Sequence, residues 1–171
     1  MALENTYEDN KQNRMIREHL ADYCSSQPFN KFVTVSFDYS RHGTPLWKSD
    51  VAQVRRLIET YAHMLSKTIY GRRCHLDNNS ALVLAVPEYK KKNGDSGHLH
   101  YHILAHFPET HIDYLTTMTL NYWSRVGNKY FGCSPTLDVR DAYHPSGSAS
   151  YSLKHLETGF TLENAVITGL V

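Results

Sequence analysis

Apolar residues along this chain repeat with a period of two in some stretches and near 3.6 in others, and each change of period marks an element. Phe32 to Asp38 alternates, with Val33, Val35 and Phe37 on one side and Thr34 and Ser36 on the other, which predicts a strand. Ser80 to Tyr89 is an apolar run that ends in Glu88, a second strand. Gly97 to Phe107 alternates again. Leu99, Tyr101, Ile103, Ala105 and Phe107 point one way, and His98, His100, His102, Leu104 and His106 the other. Ser134 to Asp141 reads as a fourth strand. Helical spacing runs from Asn10 to about Ser25 (Met15, Ile16, His19, Leu20, Tyr23), until Ser26-Gln27-Pro28-Phe29-Asn30 breaks it. A longer helix, capped by Ser49 or Asp50, carries Val51, Val54, Leu57, Ile58, Tyr61, Leu65 and Ile69 to about Tyr70, where Gly71 ends it. A third helix, from about His111 to Val126, carries Ile112, Leu115, Met118, Leu120, Tyr122 and Trp123. Gly127 is its expected stop, with Tyr130-Phe131 a short extended piece. Ala149 to about Glu157 is also helical in pattern, and the apolar tail from Gly159 to Val171 shows no period.

The order strand, helix, strand, strand, helix, strand predicts an α+β protein. The expected fold is a ferredoxin-like split βαβ unit, with a central antiparallel sheet and two helices on one face. A leading helix and a trailing helix are added. The 171 residues suffice for one domain with a sizeable core. Repeats, low-complexity segments and domain boundaries are absent from the pattern.

Charge and cysteine usage change this picture little. The formal net charge of +1 gives no strong basic field to announce nucleic acid. Arg55-Arg56, Arg72-Arg73 and Lys90-Lys91-Lys92 are local clusters, each of which reads on its own as a solvated face. Cys24, Cys74 and Cys133 are an odd count without C-x-x-C spacing, which argues against a disulfide framework and a structural zinc site and fits a cytoplasmic location. The first residues lack the basic flank and apolar core of a signal peptide, and no apolar run is long enough to span a bilayer, so no membrane partner is expected.

The histidines change it more. Two imidazoles two residues apart on one strand face bring their ring nitrogens within reach of one divalent ion. Lys90 to Gly97 turns the chain back between the second and third strands, so Glu88 can lie beside the pair. Glu88, His100 and His102 then make a three-ligand set on an open sheet face. It suits Mg²⁺ or Mn²⁺ bound together with phosphate oxygens.

Glu88-Tyr89, a basic turn with glycine, His100-Tyr101-His102 and the apolar tail of that strand resemble the HUH endonucleases: rolling-circle replication initiators, relaxases and single-strand transposases. Their defining motif is His, a bulky hydrophobic residue, then His. His98-Leu99-His100 fits that motif too, but an apolar half-strand follows directly after His102, which favours His100 and His102. The resemblance covers about residues 30–158 and makes 1–171 a single HUH domain. It implies that the His strand is central, that Phe32 to Asp38 forms the sheet floor beside it, and that Glu88 matches the acidic ligand of many initiators. It also implies a nucleophilic tyrosine on the helix after the last strand. Ser150-Tyr151-Ser152-Leu153-Lys154 supplies Tyr151, with Lys154 one turn on. His155 and Gly147 occupy the positions one turn either side, so the resemblance is to the single-tyrosine class. Tyr143 and Tyr130 are the fallback nucleophiles.

The implied activity is metal-dependent nicking of single-strand DNA through a 5′-phosphotyrosine at Tyr151, with Lys154 steadying charge. It would initiate rolling-circle replication of a plasmid, phage or prophage element. The implied partners are single-stranded or hairpin DNA at an origin, and a host helicase and polymerase, since the chain has no helicase domain of its own. Alternatives within the group are a relaxase or a transposase. Outside it stand a metal-dependent phosphodiesterase that uses water and a non-catalytic single-strand binding module. The latter lacks its usual aromatic sheet face, because His occupies those positions. The paired His-x-Ser/Thr of the 2H phosphoesterases is represented only by His42-Gly43-Thr44.

Overall fold

The structure, a computed structural model, describes residues 14–16, 18–37, 51–75, 79–90, 98–132, 134–143, 147 and 164–169. It is an α+β arrangement of one five-stranded antiparallel sheet and three helices. The strands are β1 (Lys31–Phe37), β2 (Val83–Lys90), β3 (His98–Ala105), β4 (Thr136–Asp141) and β5 (Val166–Thr168). Residues 14–16 and 18–26 are helical and are called α1; α2 is Val51–Tyr70 and α3 is Ile112–Val126. The sheet order is β4-β1-β3-β2-β5, so the His strand is central.

Alternation explains why the sheet has two faces. On the first, Val33, Val35 and Phe37 of β1, Val83 and Ala85 of β2, and Leu99, Tyr101, Ile103 and Ala105 of β3 pack against α2 and α3 in the main core. The α2 stripe behaves as its spacing predicts, with Val51, Val54, Leu57, Ile58, Tyr61 and Leu65 buried. From α3, Leu115, Tyr122 and Trp123 are buried and Ile112 and Met118 are half-buried. Leu120 departs from the expectation and is exposed. Trp123 lies edge-on to Phe37 and Tyr122, at centroid distances of 6.2 and 5.1 Å. The phenols inside this core are satisfied: Tyr61 Oη pairs with Thr119 Oγ1 at 2.8 Å, and Tyr122 Oη donates to the Leu57 carbonyl at 2.6 Å. Each such large side chain contributes about 1.5–3 kcal/mol by burial.

The second face carries a smaller apolar cluster. Cys24 with Ile16, Leu20 and Tyr23 of α1 packs on Phe29, Phe32, Leu82, Leu84, Val86, Leu104 and Ala142. The leading helix thus covers the side of the sheet opposite α2 and α3. His19, expected in its stripe, is exposed and bonds the Met15 carbonyl through Nδ1 at 2.9 Å; Met15 is exposed too. Cys24 and Cys74 are buried free thiols.

Three local readings are corrected. Gly127 does not stop α3: it is right-handed helical, and the chain continues through a π-helical turn, Gly127–Phe131. That turn is held because Phe131 reaches the main core, 4.9 Å from Phe37, and it ends at Gly132, whose φ of 69° suits glycine. Tyr130-Phe131 is therefore helical, not extended. Finally, the tail forms β5, whose residues Val166, Ile167 and Thr168 pair with Ala85, Leu84 and Val83. It closes with Gly169 at φ 71°, where a Cβ would meet the Ala81 carbonyl at 2.7 Å, so only glycine lets the chain pass. The loop carrying Trp47 and the expected trailing helix fall outside the described residues.

Register decides which face each imidazole occupies, and Asn30 ties it down. Its side chain donates to the Phe107 carbonyl at 2.7 Å and accepts from Phe107 N–H at 2.8 Å. Its backbone pairs with Ala105 and Ala142 at 3.1 and 2.9 Å. One residue joins the start of β1 to the ends of β3 and β4. A slip of one residue would turn every histidine of β3 into the core. Among the described residues, no helix is long and apolar enough to cross a membrane.

Candidate metal and phosphate site

Two polar rows cross the second face. In one, Thr136 of β4, Ser36 of β1, His100 of β3 and Glu88 of β2 stand opposite one another. In the next lie Asp138, Thr34, His102 and Val86. The third row, Arg140, Phe32, Leu104, Leu84 and Ile167, is largely apolar, and α1 packs at this end.

The two ligand candidates closest together are not the pair directly opposite in register. Glu88 reaches diagonally across the β2–β3 pair, and its Oε2 lies 2.7 Å from His102 Nε2. The other nitrogen of that ring, Nδ1, lies 3.2 Å from Thr34 Oγ1. Phe32 stacks on the imidazole at a centroid distance of 5.5 Å and 16° between planes. His102 is therefore held on three sides, and both it and Glu88 are about 5% exposed. This corrects the expectation of an open sheet face: of the three ligand candidates only His100, opposite Ser36 and Glu88, is half-buried, and the other two are buried.

Glu88, His100 and His102 thus share one face, and the structure brings Glu88 and His102 into contact. Among the described residues no group of three or more His, Cys, Asp or Glu side chains is gathered as a preformed metal cage. By donor chemistry the set fits a divalent ion: two imidazole nitrogens and one carboxylate. The lone pairs that share the proton between Glu88 and His102 are those that would ligate an ion. A carboxylate and an imidazole buried together are also a costly arrangement, offset in part by their mutual bond, by Thr34 and by the stacked Phe32.

The remaining candidates are less central. Tyr151 and Lys154 lie outside the described residues. Tyr143 is exposed just beyond edge strand β4 and donates to Asp141 Oδ2 at 3.2 Å. Tyr130 sits in the turn that continues α3, a helix of the opposite face, with Lys129 Nζ 5.0 Å from its ring centroid. Tyr61, Tyr101 and Tyr122 are excluded as nucleophiles, because burial pushes their phenols well above the usual range. His106 accepts or donates nothing at the polar rows; its Nδ1 lies 2.6 Å from the Pro28 carbonyl oxygen, at the end of the strand. Arg55 is paired with Glu59 at 3.2 Å on α2, away from this face.

Sequence reasoning missed Thr34 and Phe32 as neighbours of the histidine, taking β1 as sheet floor. The signal was present in the alternation, since Thr34 shares a face with Ser36, but the partner of each hydroxyl depends on register. Comparison with protein-family models, curated proteins and solved structures returned no match to this chain.

Proposed function

We propose that this chain is a metal-dependent single-strand DNA endonuclease and strand transferase of the HUH type, built on a ferredoxin-like split βαβ sheet. One observation carries the reading: Glu88 and His102 are in hydrogen-bond contact on neighbouring strands, with His100 directly opposite Glu88. The strand order β4-β1-β3-β2, with a helix between β1 and β2 and another between β3 and β4, is the order of that split unit and supports the fold part of the proposal.

Glu88, His100 and His102 would hold the ion, and Thr34, 3.2 Å from His102 Nδ1, would orient one ligand ring. A divalent ion bound there would supply Lewis-acid charge to offset the charge on the non-bridging oxygens of the scissile phosphate. The Tyr151 hydroxyl oxygen attacks phosphorus in line. The new O–P bond holds the segment downstream of the nick on tyrosine through its 5′-phosphate, the P–O3′ bond breaks, and the tyrosine proton is balanced by the one gained by the departing 3′-hydroxyl. Lys154 steadies negative charge at the phosphate or the phenolate. One phosphodiester replaces another, so the step needs no ATP and reverses on attack by a 3′-hydroxyl. The substrate is single-stranded or hairpin DNA at an origin, and unwinding and synthesis fall to a host helicase and polymerase.

The test is incubation of the full chain with end-labelled single-stranded oligonucleotides and Mn²⁺, followed by a denaturing gel and peptide mapping. The expected result is a slowly migrating covalent species that maps to Tyr151 and is absent in Tyr151→Phe. Nicking by Tyr151→Phe with no adduct would overturn the covalent step and leave a water-using phosphodiesterase. Equal cutting of fully paired linear duplex would overturn the single-strand preference.

A further inference from the structure

A cleft of about 440 Å³ lies between α2 and α3, the two helices that cover the apolar face of the sheet, and its volume is that of a small-molecule site. The half-buried thioethers of Met64 and Met118 line it, together with the exposed Tyr114. Thr117, Asn121 and Arg125 continue its wall one turn apart along α3, and among the described residues no carboxylate lines it. We propose that the cleft binds a nucleoside monophosphate, with the base against the methionines and Tyr114, its polar edge on Asn121 and its phosphate on Arg125. The site lies away from the polar rows, and the proposal goes beyond the metal reading and does not rest on it.

The polar groups of the cleft differ from their neighbours in being uncommitted. Thr60, Ser66 and Thr68 of α2 and Thr116 and Thr119 of α3 each donate to the carbonyl four residues earlier. Among the described residues, the Thr117 hydroxyl, the Asn121 amide and the Arg125 guanidinium have no hydrogen-bond or ion-pair partner. An amide offers a donor and an acceptor side by side, the pattern that a base edge complements. A guanidinium presents forked N–H donors suited to phosphate oxygens, and with no carboxylate in the lining its charge is left for an anion. Methionine sulfurs and a tyrosine ring are polarisable surfaces on which the flat face of any base can lie. The dimensions agree. Asn121 and Arg125 are about 6 Å apart along the helix axis, and the Arg125 side chain adds its own reach, so one nucleotide spans them. A single cation lines the cleft among the described residues, which suits one phosphate rather than the row of them that a strand presents.

The test is calorimetric titration of the full chain, free of divalent ions, with AMP, adenosine and ribose 5-phosphate, in wild type, Arg125→Ala and Asn121→Ala. Both positions are exposed, so the variants are expected to keep the wild-type urea midpoint. Wild type should bind one AMP per chain, and adenosine and ribose 5-phosphate more weakly. Arg125→Ala should lose roughly 10-fold in AMP affinity and leave adenosine affinity unchanged. Asn121→Ala should lose roughly 10-fold for both AMP and adenosine. No saturable AMP binding by wild type, or equal AMP affinity in all three proteins, overturns the proposal. So does binding of a single-stranded oligoadenylate with none of AMP, which would make the cleft a strand surface. With no metal and no cleavage in the assay, none of these outcomes bears on the roles of Glu88, His100 and His102.

Discussion

The face of the sheet under α2 and α3 and the face under α1 are made from alternate residues of the same strands, yet they solve different problems. Under α2 and α3, every residue that β1, β2 and β3 contribute to the core cluster is apolar, and the two buried phenols of α2 and α3 each have a hydrogen-bond partner. Under α1 the apolar part lies mainly at the Phe32–Leu104–Leu84 end and reaches Val86, and two rows carry hydroxyls, imidazoles and the carboxylates of Glu88 and Asp138. The first face concentrates stability. The second buries Glu88 and His102 against each other, which costs more than apolar packing. On the first face burial raises the phenols of Tyr61, Tyr101 and Tyr122 above the usual range.

Substitutions should separate the faces. Trp123→Ala, on the apolar face, removes the largest fully buried side chain. It should cost about 3–5 kcal/mol, read as a lower urea midpoint. His102→Ala, on the polar face, strips Glu88 of its partner and Phe32 of its stacked ring. It should cost about 1–3 kcal/mol, and Glu88→Gln, which can still hydrogen-bond, should cost less. A loss for His102→Ala as large as that for Trp123→Ala would break the distinction. Asn30→Ala tests what keeps the faces in register. Two side-chain bonds to Phe107 are lost, for about 1–2 kcal/mol in thermal or urea unfolding.

The smallest effect belongs to the sheet edge. Lys31 hydrogen-bonded to Asp141, with Tyr143 also donating, holds the Asp141 carboxyl below the usual aspartate range. A depressed folded value means that the stabilising contribution is complete above about pH 4, the unfolded value, and is lost as pH falls through the folded one. Asp141→Asn should therefore lie slightly below wild type at neutral pH, and the gap should close on acidification, in urea midpoints taken across that window. Because the group is fully exposed, a large gap would contradict the assignment.

Much of this was legible in the sequence wherever an element lies in one environment along its length. β1, α2 and β3 have patterns that name their inner faces residue by residue; alternation puts His100 and His102 on one face, and the hairpin turn between the strands places Glu88 beside them. β5 was not legible, since three residues show no period and its place comes from pairing with β2 and from Gly169 passing Ala81. Gly127 misled because a glycine can lie within a helix when a later residue, here Phe131, is anchored in the core. In the site, alternation gave the face but not the diagonal. That Glu88 meets His102, and that Thr34 completes the ring's partners, depends on strand register, which no local pattern encodes. The burial of His102 likewise arises from neighbours on other strands.

His100 gives the cleanest access to the central claim, that the polar face performs divalent-metal chemistry on single-stranded DNA. It is half-buried, so its loss should leave the fold in place, whereas His102 is packed. The measurement is Mn²⁺-dependent cleavage of a single-stranded oligonucleotide by wild type and His100→Ala, with unfolding curves of both proteins taken alongside. The account predicts matching unfolding midpoints, with cleavage by the wild type and none by the variant. Cleavage by His100→Ala at the wild-type rate under Mn²⁺ would contradict it.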